Sequence, residues 1–138
     1  MRSFTLKTIA YLCLYVLLSS CSGGSSSTPA AATSNSNTYT VNANNAPSSF
    51  TINGTNNPTL TLQRNQTYTF TISETSNHPF YIMSVQGTNT ANAFTSGVTG
   101  NGTTNGTLTF SVPVSAPNTL YYNCSIHAGM TGVINITN

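Results

Sequence analysis

From Thr38 onward the chain repeats one pattern, apolar side chains at alternate positions with threonine or asparagine between them. Tyr39 and Val41 begin it, Phe50 and Ile52 continue it, and Leu60 and Leu62 follow. The longest run is Gln66 to Ser73, where Tyr68, Phe70 and Ile72 face one way and Thr67, Thr69 and Thr71 the other. Phe80-Tyr-Ile-Met83 is more continuously apolar, as a strand leading away from a buried site would be. Leu108, Phe110 and Val112 alternate again before Pro113, Leu120 and Tyr122 share a face with Cys124, and Val133 to Ile136 close the chain. A period of two means sheets with one buried face.

Turn-forming pairs separate these runs: Asn53-Gly54, Asn57-Pro58, Asn101-Gly102, Asn105-Gly106 and Ala116-Pro117. No helical periodicity exceeds a turn or two in this part of the chain. Seven or eight short strands in about 100 residues predict an all-β fold, a Greek-key β-sandwich. Gln86 to Gly106 has only Phe94 and Val98 as apolar anchors, and reads as a long connection with a short helical turn near Thr90 to Phe94.

The pattern also divides the chain. Residues 1–20 read as a secretory signal, with Arg2 and Lys7 ahead of an apolar run from Ile9 to Leu18. That run is too short to span a bilayer. It ends in Leu18-Ser-Ser-Cys21, which resembles a bacterial lipobox with cleavage before Cys21 and lipidation of its sulfur. Residues 21–37, rich in Ser, Gly, Ala and Asn, form a flexible linker with a reach of roughly 20–24 Å. Residues 38–138 are the folded domain.

Charge changes the picture by its scarcity. Charged residues are 3% of the chain, and behind the signal only Arg64 and Glu74 remain. A near-neutral surface has no basic stripe for nucleic acid and no field to steer a partner. Glu74 reads as an exposed charge. Cysteine usage is equally informative. Cys13 leaves with the signal and Cys21 is lipidated, so Cys124 is left with no disulfide partner in an exported protein. Metal ligation would occupy it.

Cys124, His127 and Met130 sit three apart on a tight loop between two predicted strands. Thiolate, imidazole and thioether form a soft donor set suited to copper, and a type-1 copper centre uses two His, one Cys and a weak axial Met. His78 is the chain's one other histidine. Met83 reads as core, whereas the spacing of Met130 from His127 and the following Gly132 favour Met130 as the axial donor. Zinc accepts two His and a Cys but has no use for the thioether. A binuclear copper centre needs a second loop Cys, and a multicopper oxidase needs a His-Cys-His run; neither is present. A Cys–His nucleophile leaves the second His and the Met without a role.

Cys-x2-His-x2-Met after an aromatic strand, with a single upstream His, resembles the cupredoxin (type-1 blue copper) family. The loop spacing is similar to that of short-loop members such as amicyanin and plastocyanin. The resemblance implies one copper held by His78, Cys124, His127 and Met130, and a redox carrier rather than an enzyme. Redox partners would dock transiently near His127, through an uncharged patch of Ile126, Ala128, Gly129, Pro79 and Phe80. The metal is expected to clip the two sheets together. In relatives an Asn follows the first ligand His, and its backbone N–H donates to the Cys sulfur. Here Pro79 has no N–H to give. Ile126 N–H is expected to remain as the donor to Cys124, with the Asn77 side chain supplying the cross-loop tie. The implied function is a monomeric electron carrier in the bacterial cell envelope, lipid-anchored through Cys21. Ser22 after the lipid-bearing Cys points to an outer membrane where the host has one. The alternative is a protein that stores, delivers or detoxifies copper without redox cycling. A third possibility is a degenerate relative that binds no copper and only packs against another protein.

Overall fold

The structure is a computed structural model that describes residues 36–73 and 75–138. The signal segment, Cys21, the linker up to residue 35 and Glu74 lie outside the described residues.

Alternation produces the strands as expected. In β5 (Thr67–Ile72) the side chains of Tyr68, Phe70 and Ile72 are buried, while Thr67 and Thr71 are exposed. The remaining strands are β1 (Thr38–Asn45), β2 (Ser49–Ile52), β3 (Thr55–Asn56), β4 (Leu60–Gln63), β6 (Phe80–Met83), β7 (Val98–Thr99), β8 (Gly106–Ser111), β9 (Thr119–Cys124) and β10 (Thr131–Thr137). Eight of the ten have four residues or more. The two-residue strands β3 and β7 are additions that no alternation could announce. They form one six-stranded sheet, β3-β2-β1-β5-β8-β7, and one four-stranded sheet, β4-β10-β9-β6. The pairings β1–β5 and β4–β10 are parallel; the others are antiparallel.

The core lies between the sheets. Phe80 is its hub: its ring stands 5.0 Å edge-on from Phe50, 5.6 Å stacked on Tyr122 and 5.7 Å from Phe70. All four are fully buried. Each such ring contributes about 1.5–3 kcal/mol by its removal from water. Register places Phe80 directly opposite Cys124, so this aromatic cluster backs the predicted ligand.

The 86–106 connection is better ordered than its composition implies. It contains the expected helical turn, a 3-10 turn at Thr90–Asn92, and its backbone bonds to the edge strand β6, the Phe94 amide to the Ile82 carbonyl and the Gly102 amide to the Phe80 carbonyl. Asn101 does much of the fastening. Its Oδ1 accepts from the Ile82 amide at 2.8 Å, and its Nδ2 donates to the Phe94 carbonyl at 2.9 Å. Phe94 and Val98 pack against the core as anchors. Met83 is buried as expected, but it faces opposite to Ile82, bridges through its backbone to Ala93 and stands outside the core cluster between the sheets.

Candidate metal centre

Two chain segments meet at one end of the four-stranded sheet. β9 ends at Cys124 and β10 starts at Thr131, so the intervening loop closes an antiparallel pair. The Cys124 amide donates to the Met130 carbonyl at 2.9 Å, and the Met130 amide to the His127 carbonyl at 3.1 Å. These bonds curl the loop and turn its donors inward. The other segment, residues 75–79, leads into β6. Thr75, fully buried, donates its hydroxyl to the Thr104 carbonyl, and the His78 amide donates to the Thr75 carbonyl at 2.7 Å. Phe80 is held from the same side, its amide donating to Thr103 at 3.0 Å. His78 is therefore gripped on both flanks.

The result is convergence. One donor atom from each of His78, Cys124 and His127 lies within 4.8 Å of the others. His78 Nδ1 stands 3.1 Å from His127 Nδ1 and 4.0 Å from Cys124 Sγ. Donors bound to one small ion by bonds of about 2.0–2.3 Å lie roughly 3.3–4 Å apart, and the two separations from His78 are close to that range. Cys124 is buried and forms no disulfide among the described residues. Met130 is buried on the same loop. Desolvation, and secondarily the neighbouring His127, hold the His78 pKa below the ordinary histidine value. A neutral imidazole with a free lone pair is the form a metal requires.

The structure corrects several expectations. His78 precedes β6, Cys124 ends β9, and these strands are neighbours in one sheet. A metal here would bridge adjacent strand ends and would not clip the two sheets together. Phe80 is wholly buried and cannot belong to a surface patch. Ile126 is 54% exposed, Ala128 and Gly129 are exposed, and Pro79 is partly so. Asn77 makes no side-chain hydrogen bond among the described residues; its short side chain is exposed on the turn. Gly132 serves Tyr122, because a Cβ there would overlap the phenol ring. The Ile126 amide does donate to Cys124 Sγ, at 3.4 Å. It is the one backbone donor to that sulfur among the described residues. Pro79 contributes only its carbonyl, which accepts from the Ser125 amide at 3.4 Å.

Neither a protein-family profile nor a curated protein matches the chain. Solved structures do. The dithionite-reduced auracyanin of Roseiflexus castenholzii superposes with a TM-score of 0.51 at 19% identity, covering 75% of this chain and 98% of that one. The chain has the cupredoxin fold. Rusticyanin from Thiobacillus ferrooxidans is similar at 24% identity and a TM-score of 0.48, over 72% of this chain and 76% of its own. Within the cupredoxin fold of this chain, the four residues singled out in the sequence all lie at one end of the four-stranded sheet. Sequence reasoning missed Asn57, which reaches the ligand loop from the other sheet. Its only signal was the Asn57-Pro58 pair, read as a turn and nothing more.

Proposed function

We propose that the chain is a mononuclear type-1 copper protein that carries single electrons between redox partners, anchored in the bacterial cell envelope by a lipid on Cys21. One observation carries the copper reading. The His78, Cys124 and His127 donors converge within 4.8 Å, with the Met130 thioether buried on the same loop, and that soft set is the one type-1 copper uses. Copper bound there supplies a one-electron couple. His78 and His127 would bind as neutral imidazoles, Cys124 as thiolate and Met130 as the weak axial donor. The protein's contribution is rigidity: each ligand is at a strand end or fixed by backbone hydrogen bonds, so little rearranges when an electron enters or leaves. His127 is half-exposed among Ile126, Ala128 and Gly129, an uncharged rim that suits a small, transient interface. The fold is shared with an auracyanin crystallised in a reduced state, which supports a carrier rather than an enzyme.

Voltammetry of the copper-loaded protein tests the carrier role. A reversible one-electron wave is expected; a colourless protein that holds only Cu(I) and shows no such wave would assign it to copper storage or delivery. The anchor has its own test. Cys21→Ser is expected to abolish acyl labelling and membrane fractionation, and unchanged labelling would refute the lipobox.

A further inference from the structure

Asn57 follows β3 of the six-stranded sheet, yet its carboxamide reaches the Cys124–Met130 loop of the other sheet. Its backbone is fixed first: the Asn57 amide donates to the Phe50 carbonyl at 2.9 Å, and its Oδ1 accepts from the Phe50 amide at 3.1 Å. The opposite end of the same amide group donates from Nδ2 to the Gly129 carbonyl at 2.9 Å and more distantly to the Ser48 carbonyl at 3.4 Å. Gly129 accepts from no other group among the described residues. The Gly129 carbonyl belongs to the peptide that enters Met130, so this bond restrains the plane from which the Met130 side chain springs. Gly129 also lies against the turn before β2, where a Cβ would come 3.4 Å from the Ser48 carbonyl.

The conformation of Asn57 is itself uncommon. It has φ of 43°, in the left-handed region, although it precedes a proline, which drives its neighbour towards extended backbone. Asparagine tolerates left-handed φ better than most residues. Strain of this kind persists where the surroundings over-determine it, and it concentrates at functional sites.

We infer that Asn57 is a positioning residue for the ligand loop: its carboxamide ties the Gly129–Met130 peptide to the opposite sheet and so sets where the Met130 thioether stands relative to the other three donors. The inference rests on the copper reading for its consequence, though not for the tie itself. Only a carboxamide serves, since one end must accept from Phe50 and the other must donate to Gly129. Asn57→Asp keeps the acceptor and tolerates the backbone, but turns an acceptor towards the Gly129 carbonyl. Asn57→Ala removes both halves.

The test compares the full chain, its Asn57→Asp and Asn57→Ala variants, and Arg64→Gln as a control that loses hydrogen bonds at the far end of β10. In metal-free protein, amide exchange at Met130 is expected to quicken about tenfold in Asn57→Asp, the equivalent of one lost hydrogen bond. Arg64→Gln is expected to lower Tm without quickening it. In copper-loaded protein, Asn57→Asp is expected to keep the thiolate band while its reduction potential and copper EPR parameters shift from the parent's. Asn57→Ala is expected to lose more Tm than Asn57→Asp but to show the same loop signature. Parental exchange at Met130 in Asn57→Asp overturns the tie. Faster exchange with parental potential and EPR overturns the positioning role. Should the parent chain take up no copper, the metal reading fails, and the exchange experiment alone still decides the tie.

Discussion

The two ends of β10 are built from similar short loops and come to opposite chemical conclusions. Beyond Thr137 a single guanidinium knits the loops together. Arg64 donates from Nε to the Val114 carbonyl at 3.1 Å, from Nη1 to Asn138 Oδ1 at 3.0 Å, and from Nη2 to the Ala116 carbonyl at 3.0 Å and Asn118 Oδ1 at 2.7 Å. Four hydrogen bonds leave this one side chain, each to an oxygen of the surrounding segments. Ahead of Thr131, His78 Nδ1 stands 3.1 Å from His127 Nδ1 and 4.0 Å from Cys124 Sγ, on a loop whose Cys124 and Met130 amides are tied within it. Imidazole nitrogen and sulfur gathered this closely can turn their lone pairs on one soft positive ion. A network of fixed donors and acceptors makes a permanent corner; a cluster of convergent soft donors makes a candidate ligand set.

The comparison can be broken most severely at Cys124. Cys124→Ser is expected to eliminate the thiolate-to-copper band and to weaken copper binding by more than the roughly 10–100-fold that outer-sphere partners command, as measured by competition titration. Retained colour would remove Cys124 from the site. At the opposite end, Arg64→Gln is expected to cost about 1–3 kcal/mol, because it leaves several acceptors without their charged donor. Calorimetry would register this as a lower Tm with an unaltered visible spectrum. A changed spectrum would mean that the two ends are coupled through β10.

Met130→Leu sharpens the contrast between strong and weak donors. It is expected to keep both copper and colour while shifting the potential, since the thioether is the weak axial member of the set; loss of the metal would contradict that rank. The smallest effect comes from Pro79. Its ring leaves Ile126 as the backbone donor to Cys124 Sγ, and a further N–H would draw electron density from the thiolate and favour the reduced metal. Pro79→Ala is expected to raise the potential by about 40–65 mV, the equivalent of one net hydrogen bond. Spectroelectrochemistry would refute it by finding a potential that stays put or falls.

Much of this arrangement was legible in the chain because it depends on local rules. Period-two alternation marks Tyr68, Phe70 and Ile72 as one buried face whatever their partners, and Cys-x2-His-x2-Met is compact enough to be read as one loop. The upstream His78 could be assigned only because no other histidine competes with it. What escaped depends on pairing. That β6 and β9 are neighbours in one sheet, so that the donors bridge adjacent strand ends, is a fact of register with no local signature. Phe80, adjacent in sequence to a predicted ligand loop, is turned inward by the alternation that buries Ile82. Asn57 lies 72 residues from the carbonyl it holds, and a turn-forming Asn-Pro pair looks the same with or without such a task. The 86–106 connection is ordered by Asn101 and by backbone bonds to the edge of β6, none of which shows as periodicity.

The most direct measurement is made on the full chain, loaded with one equivalent of Cu(II) and examined by visible absorption and EPR together. The account predicts an intense visible thiolate-to-copper band with the compressed copper hyperfine splitting of a highly covalent Cu–S bond, both vanishing in Cys124→Ser. A pale protein with the wide splitting of ordinary tetragonal copper, unchanged by Cys124→Ser, would contradict it.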